Sequence, residues 1–310
     1  MSMNTNIYSP VTTAGMLYPA LFQFISQIAM PNMIARQMFQ TYKLTNSNSV
    51  TFSKQSGSPS SVVDEVAEGA EIPIDTTPYS SVNVVPKKIG QGIIITKESI
   101  EDAMLPVQQD QMARKALRIA NKVDTDCIAA INAGVSGSTA ASGKSLAMDG
   151  TEFVLSGSGG PGLGTYDLID AKAMVESVNY TPDTLIINPR AKRYIERLPH
   201  YSAAFAVGGS GRYTSGMPAT PGMFGTIQGL DCFATNNCGT GSAYVLCRGT
   251  SPNIMGQFSP LGYFVERRPL TTEIKPEASK DALGIYITMR YGVTVINGSA
   301  ARAITGINVS

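Results

Sequence analysis

The sequence predicts an α+β fold built around one long amphipathic helix, and three observations predict it. Apolar residues recur at three- and four-residue steps from Met112 through Ala116, Ile119, Val123 and Cys127 to Ile131, the period of a helix with one buried face. Leu283, Ile285, Ile287, Met289, Tyr291 and Val293 fall at every second position, the period of a strand. Between two β-prone runs, Val50–Phe52 and Val82–Thr96, lies a polar excursion that ends in Val66-Ala-Glu-Gly-Ala-Glu-Ile-Pro-Ile-Asp75. From Gln55 to Pro86 it has no Lys or Arg, while Asp64, Glu65, Glu68, Glu71 and Asp75 are acidic. Such an arm has little apolar surface of its own to bury, and it makes sense if its partner is another copy of the chain.

The elements follow in order. Residues 1–45 read as an arm lying on a protein surface, with short helices over Leu17–Ala29 and Asn32–Tyr42 separated by Pro31, because proline disfavours helix in the residue before it. Gly90 and Gly92 in the second β-rich run mark a bulge or a close approach. Thr96, or Ser99 as an alternative, reads as a helix N-cap. After Pro106 the main helix runs over 107–133, about 40 Å at ~1.5 Å per residue, and Gly134 ends it. Its outer face carries Arg114, Lys115, Arg118, Lys122 and Asp126, which is either an ordinary solvated face with i,i+4 pairs or a contact with an acidic arm or DNA.

Residues 134–164 are small and polar and read as a loop or weak hairpin, strand-like only at Phe153–Leu155. An α/β unit follows. Tyr166–Asn179 is helical with Leu168, Ala171 or Met174, Val175 and Val178 inward, and Thr184–Ile187 is a buried strand. Asn188 caps a further helix, with Pro189 in its first turn and an end near Leu198. The Gly-rich 206–225 stretch with Pro218 and Pro221 is a loop, and strands are expected near Ile227–Ala234, Ala243–Cys247 and Tyr263–Glu266.

Composition narrows the function. At 310 residues and 43% hydrophobic content, a sizeable core can form in two or three lobes or in one elongated domain. A net charge of +1 and a pI near 7.6 argue against a dedicated nucleic-acid binder. A charged fraction of 15% suits extensive protein–protein contact. The cysteines, Cys127, Cys232, Cys238 and Cys247, form no C-x-x-C pair, and His200 is the sole histidine, so buried free thiols are expected and no metal site. The N-terminus lacks a basic n-region. The apolar run Met16–Met30 is interrupted by Pro19, Gln23, Ser26 and Gln27 and is shorter than the ~20 residues of a membrane span. No membrane partner and synthesis in the cytoplasm are expected.

Enzyme motifs fail on spacing. Ser138 to Ser145 resembles a phosphate-binding loop, but Ser138 stands where the first glycine is needed and Gly137 is one residue early. Gly157-Ser-Gly159-Gly-Pro-Gly162 fits a dinucleotide-binding pattern literally, yet Pro161 sits inside the turn and Asn188 replaces the acidic residue that should end the next strand. No G-x-S-x-G elbow is present, and His200 is the one candidate base. No catalytic residue, cofactor or metal ligand is expected.

The order of elements then carries a resemblance. The N-terminal arm, the acidic loop ending Val66-Ala-Glu-Gly-Ala-Glu-Ile-Pro, strands and a long helix are followed by Thr181-Pro-Asp-Thr-Leu-Ile-Ile-Asn-Pro-Arg190, Gly225-Thr-Ile-Gln-Gly-Leu-Asp231 and Met289-Arg-Tyr-Gly-Val-Thr-Val-Ile-Asn297. This resembles, over almost the whole chain, the major capsid proteins of tailed double-stranded DNA bacteriophages with the HK97 fold. The resemblance implies an N-terminal arm (1–45), an E-loop (46–80), P-domain strands and a spine helix (81–133), an A-domain (134–254), and P-domain return strands with the C-terminal segment (255–310). It further implies a virion protein assembled in the host cytoplasm into pentamers and hexamers. Its implied partners are a portal protein, packaged DNA held by weak non-specific contact, and in some relatives a decoration protein. Because the E-loop begins by residue 50, a separate scaffolding protein is expected. Glu68 and Glu71 are expected to meet Arg267 and Arg268 of a neighbouring subunit, on the strength of the charge segregation. The alternatives are an encapsulin-type shell, an α/β enzyme, and a tail or adhesion protein.

Overall fold

The computed structural model describes residues 33–55, 79–96, 98, 107–146, 152–157, 160–198, 213–214, 223–248, 261–277 and 281–309. The expected helix at Leu17–Ala29, the cap at Ser99, the segment 56–78 with Glu68 and Glu71, and His200 lie outside them. Thr96 ends a strand, and of a helix after it only Glu98 is described.

The periodic signals became the frame of the molecule. The main helix, α1, spans Val107–Gly134, and all six positions of its apolar stripe are at most 4% exposed. Each Met, Val or Ile of that stripe contributes about 1.5–3 kcal/mol by leaving water. On the outer face, Arg114 pairs with Asp110 at 2.9 Å and Lys122 with Asp126 at 2.7 Å, the ordinary i,i+4 arrangement.

The first strands are β1 (Gln40–Lys43), β2 (Val50–Gln55), β3 (Tyr79–Val84) and β4 (Lys87–Thr96). The helix expected over 32–42 is absent. Ala35–Met38 form a single 3₁₀ turn, and β1 follows, parallel to a strand more than 200 residues away, with Gln40 opposite Tyr263. Met33, Ala35, Met38 and Phe39 are buried in the main core, so this part of the presumed surface arm is core. Its apolar spacing suited a helix, but pairing with a distant strand won.

After α1 come β5 (Ser138–Ala140), β6 (Lys144–Leu146), β7 (Glu152–Val154), β8 (Ser156–Gly157) and β9 (Gly160–Pro161), so the stretch read as a loop carries short hairpins. Helix α2 (Thr165–Glu176) buries Leu168, Ala171 and Val175, whereas Met174 and Val178 are exposed. Val178 lies past the end of the helix, where helical phase no longer holds. Strand β10 (Thr184–Ile187) is buried at every position, and Asn188 accepts from the Arg190 N–H at 2.9 Å to cap α3 (Pro189–Glu196).

The strand expected over 227–234 is two strands, β12 (Met223–Ile227) and β13 (Leu230–Ala234), preceded by β11 (Tyr213–Thr214). Gln228 and Gly229 between them both have positive φ, 53° and 79°, as a two-residue hairpin turn requires. The chain ends with β14 (Ser242–Leu246), the long hairpin β15 (Gly262–Glu277) and β16 (Ala282–Val295), and β17 (Ala301–Thr305).

Among the described residues these strands form a four-stranded sheet, β1-β15-β16-β4, and a seven-stranded sheet, β11-β12-β13-β10-β14-β17-β5. α1 packs on the face of the smaller sheet formed by Ile93, Ile95, Ile285, Ile287 and Met289. The larger sheet is covered on both faces. Ile186, Phe233 and Tyr244 join the core around α1, while Leu185, Ile187 and Val245 join a second core with α2 and α3. Gly90 and Gly92 make no bulge, since β4 pairs with β16 without interruption. They allow close approach: a Cβ at Gly92 would lie 2.8 Å from the Tyr286 ring.

Candidate functional site

Among the described residues the two glycine motifs hold no ligand site. The turn Ser142–Gly143 does gather backbone donors, as a phosphate loop would, but the chain fills it itself. The buried Asp167 carboxylate accepts from the Ser142 N–H (2.8 Å) and hydroxyl (2.6 Å), the Gly143 N–H (3.0 Å) and the Gly164 N–H (2.8 Å). Gly162 of the second motif lies under the Tyr194 ring, where a Cβ would meet carbon at 2.6 Å. Asp167→Ala is therefore expected to lose about 2–4 kcal/mol in chemical denaturation, because the donors keep their desolvation cost and lose their acceptor. A loss below about 1 kcal/mol would mean that water replaces the carboxylate freely. Among the described residues no group of three His, Cys, Asp or Glu side chains is placed to hold a metal ion. Cys127, Cys232, Cys238 and Cys247 are buried free thiols.

The surface features concentrate elsewhere, around the β2–β3 ribbon. Its strands pair antiparallel from Val50 opposite Val84 to Gln55 opposite Tyr79. Among the described residues the anchoring is at the base. Val84 packs with Leu44 and Val265 in a small separate cluster, and Phe52 stacks on Tyr263 at 4.3 Å with Tyr42 edge-on at 5.6 Å. Toward the far end Ser80 and Ser81 are exposed, and Tyr79 is 73% exposed. An isolated two-stranded ribbon is marginal in water.

Beside the ribbon base are two adjoining clefts. One, of about 520 Å³, lies between β3, β4, α1 and β16 and is lined by Lys87, Lys88, Lys122, Asp126 and Tyr291 among others. Within it Lys122 and the Tyr291 hydroxyl both donate to Asp126, each at 2.7 Å. Burial and then that bond to Asp126 push the Tyr291 hydroxyl well above the usual tyrosine range. The second cleft, of about 360 Å³, is lined by Pro86, Lys88, Arg268, Thr288, Met289 and Arg290. Here the structure separates the two arginines singled out by sequence. Arg267 is half-buried and donates to the Leu44 carbonyl at 3.1 Å, whereas Arg268 is exposed in the second cleft. Lys88 and Arg290 were missed, because strand register and not sequence spacing brings them beside Arg268.

The arrangement offers no catalytic centre among the described residues; it offers a protruding ribbon and a basic cleft on a two-core α+β body. Such a body defines a protein that works through its surface. A family model described as phage capsid protein matches residues 79–305, and the chain belongs to that family. Its fold is the HK97-like capsid fold. The capsid of cyanophage P-SCSP1u is similar, with a TM-score of 0.62, 12% identity, and coverage of 89% of this chain and 88% of that one. A structure from Microbacterium phage Oxtober96 has a TM-score of 0.58 at 12% identity, over 88% of this chain and 90% of that one. A virus-like particle from Pyrococcus furiosus has a TM-score of 0.56 at 10% identity, over 93% of this chain and 99% of that one. No curated protein matches. The protein is a capsid shell protein, a structural component of the virion.

Proposed function

We propose that the chain assembles with its own copies into pentamers and hexamers of a closed icosahedral shell that encloses double-stranded DNA. Membership of the phage capsid family supports this reading, and the observation that carries it is the ribbon. Thr51 and Ser53 of β2 and Tyr79, Ser80, Ser81 and Asn83 of β3 are exposed, packing among the described residues is at the ribbon base, and the segment between the strands is acidic and poor in apolar residues. Burial for both is to be found on another subunit, so stability is shared and depends on concentration.

In this reading residues 1–45 are the N-terminal arm and 46–80 the E-loop. Residues 81–133 and 255–310 belong to the P-domain and 134–254 to the A-domain. The two hydrophobic cores support the division, with β17 contributed to the larger sheet from the C-terminal end. Glu68 and Glu71 meet Arg267 and Arg268 of a neighbour. The further partners are a scaffolding protein, a portal protein, the packaged DNA and a decoration protein, and assembly takes place in the host cytoplasm.

Negative-stain electron microscopy of the purified protein beside a size-exclusion trace tests the reading. Closed particles or capsomers support it; a monomer at every concentration, with or without a scaffolding protein, overturns it. A second reading is an encapsulin-type shell, which the coverage of nearly the whole P. furiosus chain favours. Nuclease-protected DNA inside purified particles would decide for the first, and a co-purifying enzyme for the second. Phe52→Ala removes the stacked anchor of the ribbon. It is expected to cost the subunit only about 1–2 kcal/mol, the ring being half-buried, while particle yield falls much further. Unchanged yield would show that the ribbon's anchoring does not matter to assembly.

A further inference from the structure

Helix α1 carries a second pattern on the side away from its apolar stripe. At about 100° per residue, Arg114, Arg118 and Lys122 step round the helix by about 40° each, and Lys115 falls beside Lys122, so these cations share an arc of about 100°. Arg114, Arg118 and Lys122 are exposed and Lys115 is half-buried. From Arg114 to Lys122 the strip runs about 12 Å at ~1.5 Å per residue. It continues beyond the helix, because Lys122 lines the cleft of about 520 Å³ together with Lys87 and Lys88 of β4. Two carboxylates, Asp110 and Asp126, face these six cations, and they pair with Arg114 and Lys122. Among the described residues Lys87, Lys88, Lys115 and Arg118 have no acidic partner. In a chain of net charge +1 the excess is therefore local. A helix face shaped for solvent alone gains from opposite charges at i,i+4. Here Arg114, Arg118 and Lys122 follow one another at that spacing, where like charges destabilise a helix.

Charge complementarity selects a polyanion, and the make-up of the strip selects its kind. Beside the cations on α1 stand Gln111 and Asn121, whose amides are the donors that accompany Lys and Arg on phosphate oxygens. A protein partner would call for an apolar centre inside a polar rim. The strip on α1 has none: it is convex, and Leu117, the exposed large apolar residue of this helix, lies at its margin, about 100° round from Arg118. We propose that the α1 strip, with Lys87 and Lys88 at its end, is the surface on which this chain holds the phosphate backbone of double-stranded DNA. Contacts of this kind position a duplex and read no base sequence. The inference deepens the capsid reading and rests on it for the identity of the polyanion, DNA being what the shell encloses there.

The test is binding of the full-length, unassembled chain to a fluorescent DNA duplex of about 30 base pairs and arbitrary sequence, followed by anisotropy between about 50 and 200 mM salt. One variant carries Lys115→Gln and Arg118→Gln, whose side chains have no acidic partner among the described residues, and thermal melts confirm that it folds. A control carries the same loss of charge on α3, Arg190→Gln and Arg197→Gln, both exposed. The wild type is expected to bind more weakly as salt rises. The α1 variant is expected to lose at least tenfold in affinity at the low-salt end, and its slope of log affinity against log salt is expected to shrink by about 2, since each phosphate neutralised contributes about 0.9. Lys115→Arg with Arg118→Lys, which keeps both charges, is expected to stay within about twofold of the wild type, as contacts with phosphate charge alone would allow. Three results overturn the proposal. A wild type that binds no duplex at 50 mM salt, or an α1 variant with unchanged affinity and slope, removes DNA from the strip. An equal loss in the α3 control assigns the effect to net charge. Lost assembly with unchanged duplex binding assigns the strip to an acidic protein surface. A chain that binds duplex through the strip and yet never assembles supports this inference and defeats the capsid reading, so the two fail separately.

Discussion

Replacing Asp124 by alanine is expected to destabilise the subunit by about 3–5 kcal/mol, since three donors lose their acceptor at ~1–3 kcal/mol each. Asp124 is fully buried on α1. Its carboxylate accepts from the Ala35 N–H at 2.5 Å, the Thr235 hydroxyl at 2.8 Å and the Asn237 amide at 3.1 Å. A buried charge is tolerated only when it is hydrogen-bonded in this way. The bonds tie three parts of the chain together: the long helix, the 3₁₀ turn that leads into β1, and the segment leaving β13. Asp124→Asn keeps one acceptor and is expected to lose roughly half as much. Denaturant titration measures both, and hydrogen exchange at Ala35 should rise first. A loss below about 1 kcal/mol for the alanine variant would remove Asp124 from this role.

Stability is also expected to fall steeply on the alkaline side. Burial pushes the Cys127 and Cys232 thiols well above their ordinary value of 9.0, with the nearby Asp124 and Asp231 carboxylates acting in the same direction. Burial, with Asp124 again adding to it, pushes Cys238 up to about 12. The sign follows from where the protons sit. The folded chain keeps these thiols protonated while the unfolded chain releases them from about pH 9, so their contribution is complete below pH 9 and is lost as pH rises toward 12 and beyond. Each proton is worth about 1.4 kcal/mol per pH unit, and three thiols together roughly 4 kcal/mol per pH unit above the unfolded value. Tyr291, raised by burial and by Asp126, adds to the fall above its ordinary value of 10.0. Urea midpoints at pH 8, 9 and 10 should show a plateau and then a drop. Cys232→Ala should flatten the drop by about a third. A flat profile to pH 10.5 would show that the thiols ionise within the folded protein.

Both predictions concern groups whose importance no local pattern announces. Asp124 sits beside Val123 in an amphipathic helix and reads as one more flank position. Its partners stand 89, 111 and 113 residues away, and only packing shows that it is buried. Asp167 is similar. The glycine-rich turn it fills was legible as a gathering of backbone donors, but its anion comes from a helix 24 or 25 residues further on. The misread elements share a cause. The 32–42 segment has helical spacing, yet a long-range parallel pairing drew it into a sheet. The 227–234 run is interrupted by a two-residue turn that strand propensity averages over.

Local pattern was enough for α1 and its buried stripe, the alternation of β16, the cap at Asn188, and the segregation of acidic residues into the excursion between β2 and β3. Each of these is set within a few residues by backbone period or by composition. Tertiary structure alone decided that Lys88, Arg290 and Arg268 stand in one row, that Arg267 turns to Leu44, and which carboxylates are buried. Such facts depend on strand register and on which faces leave water together, and a register is chosen by the whole core at once, where a shift of one residue would turn every apolar side chain of a strand to the wrong face.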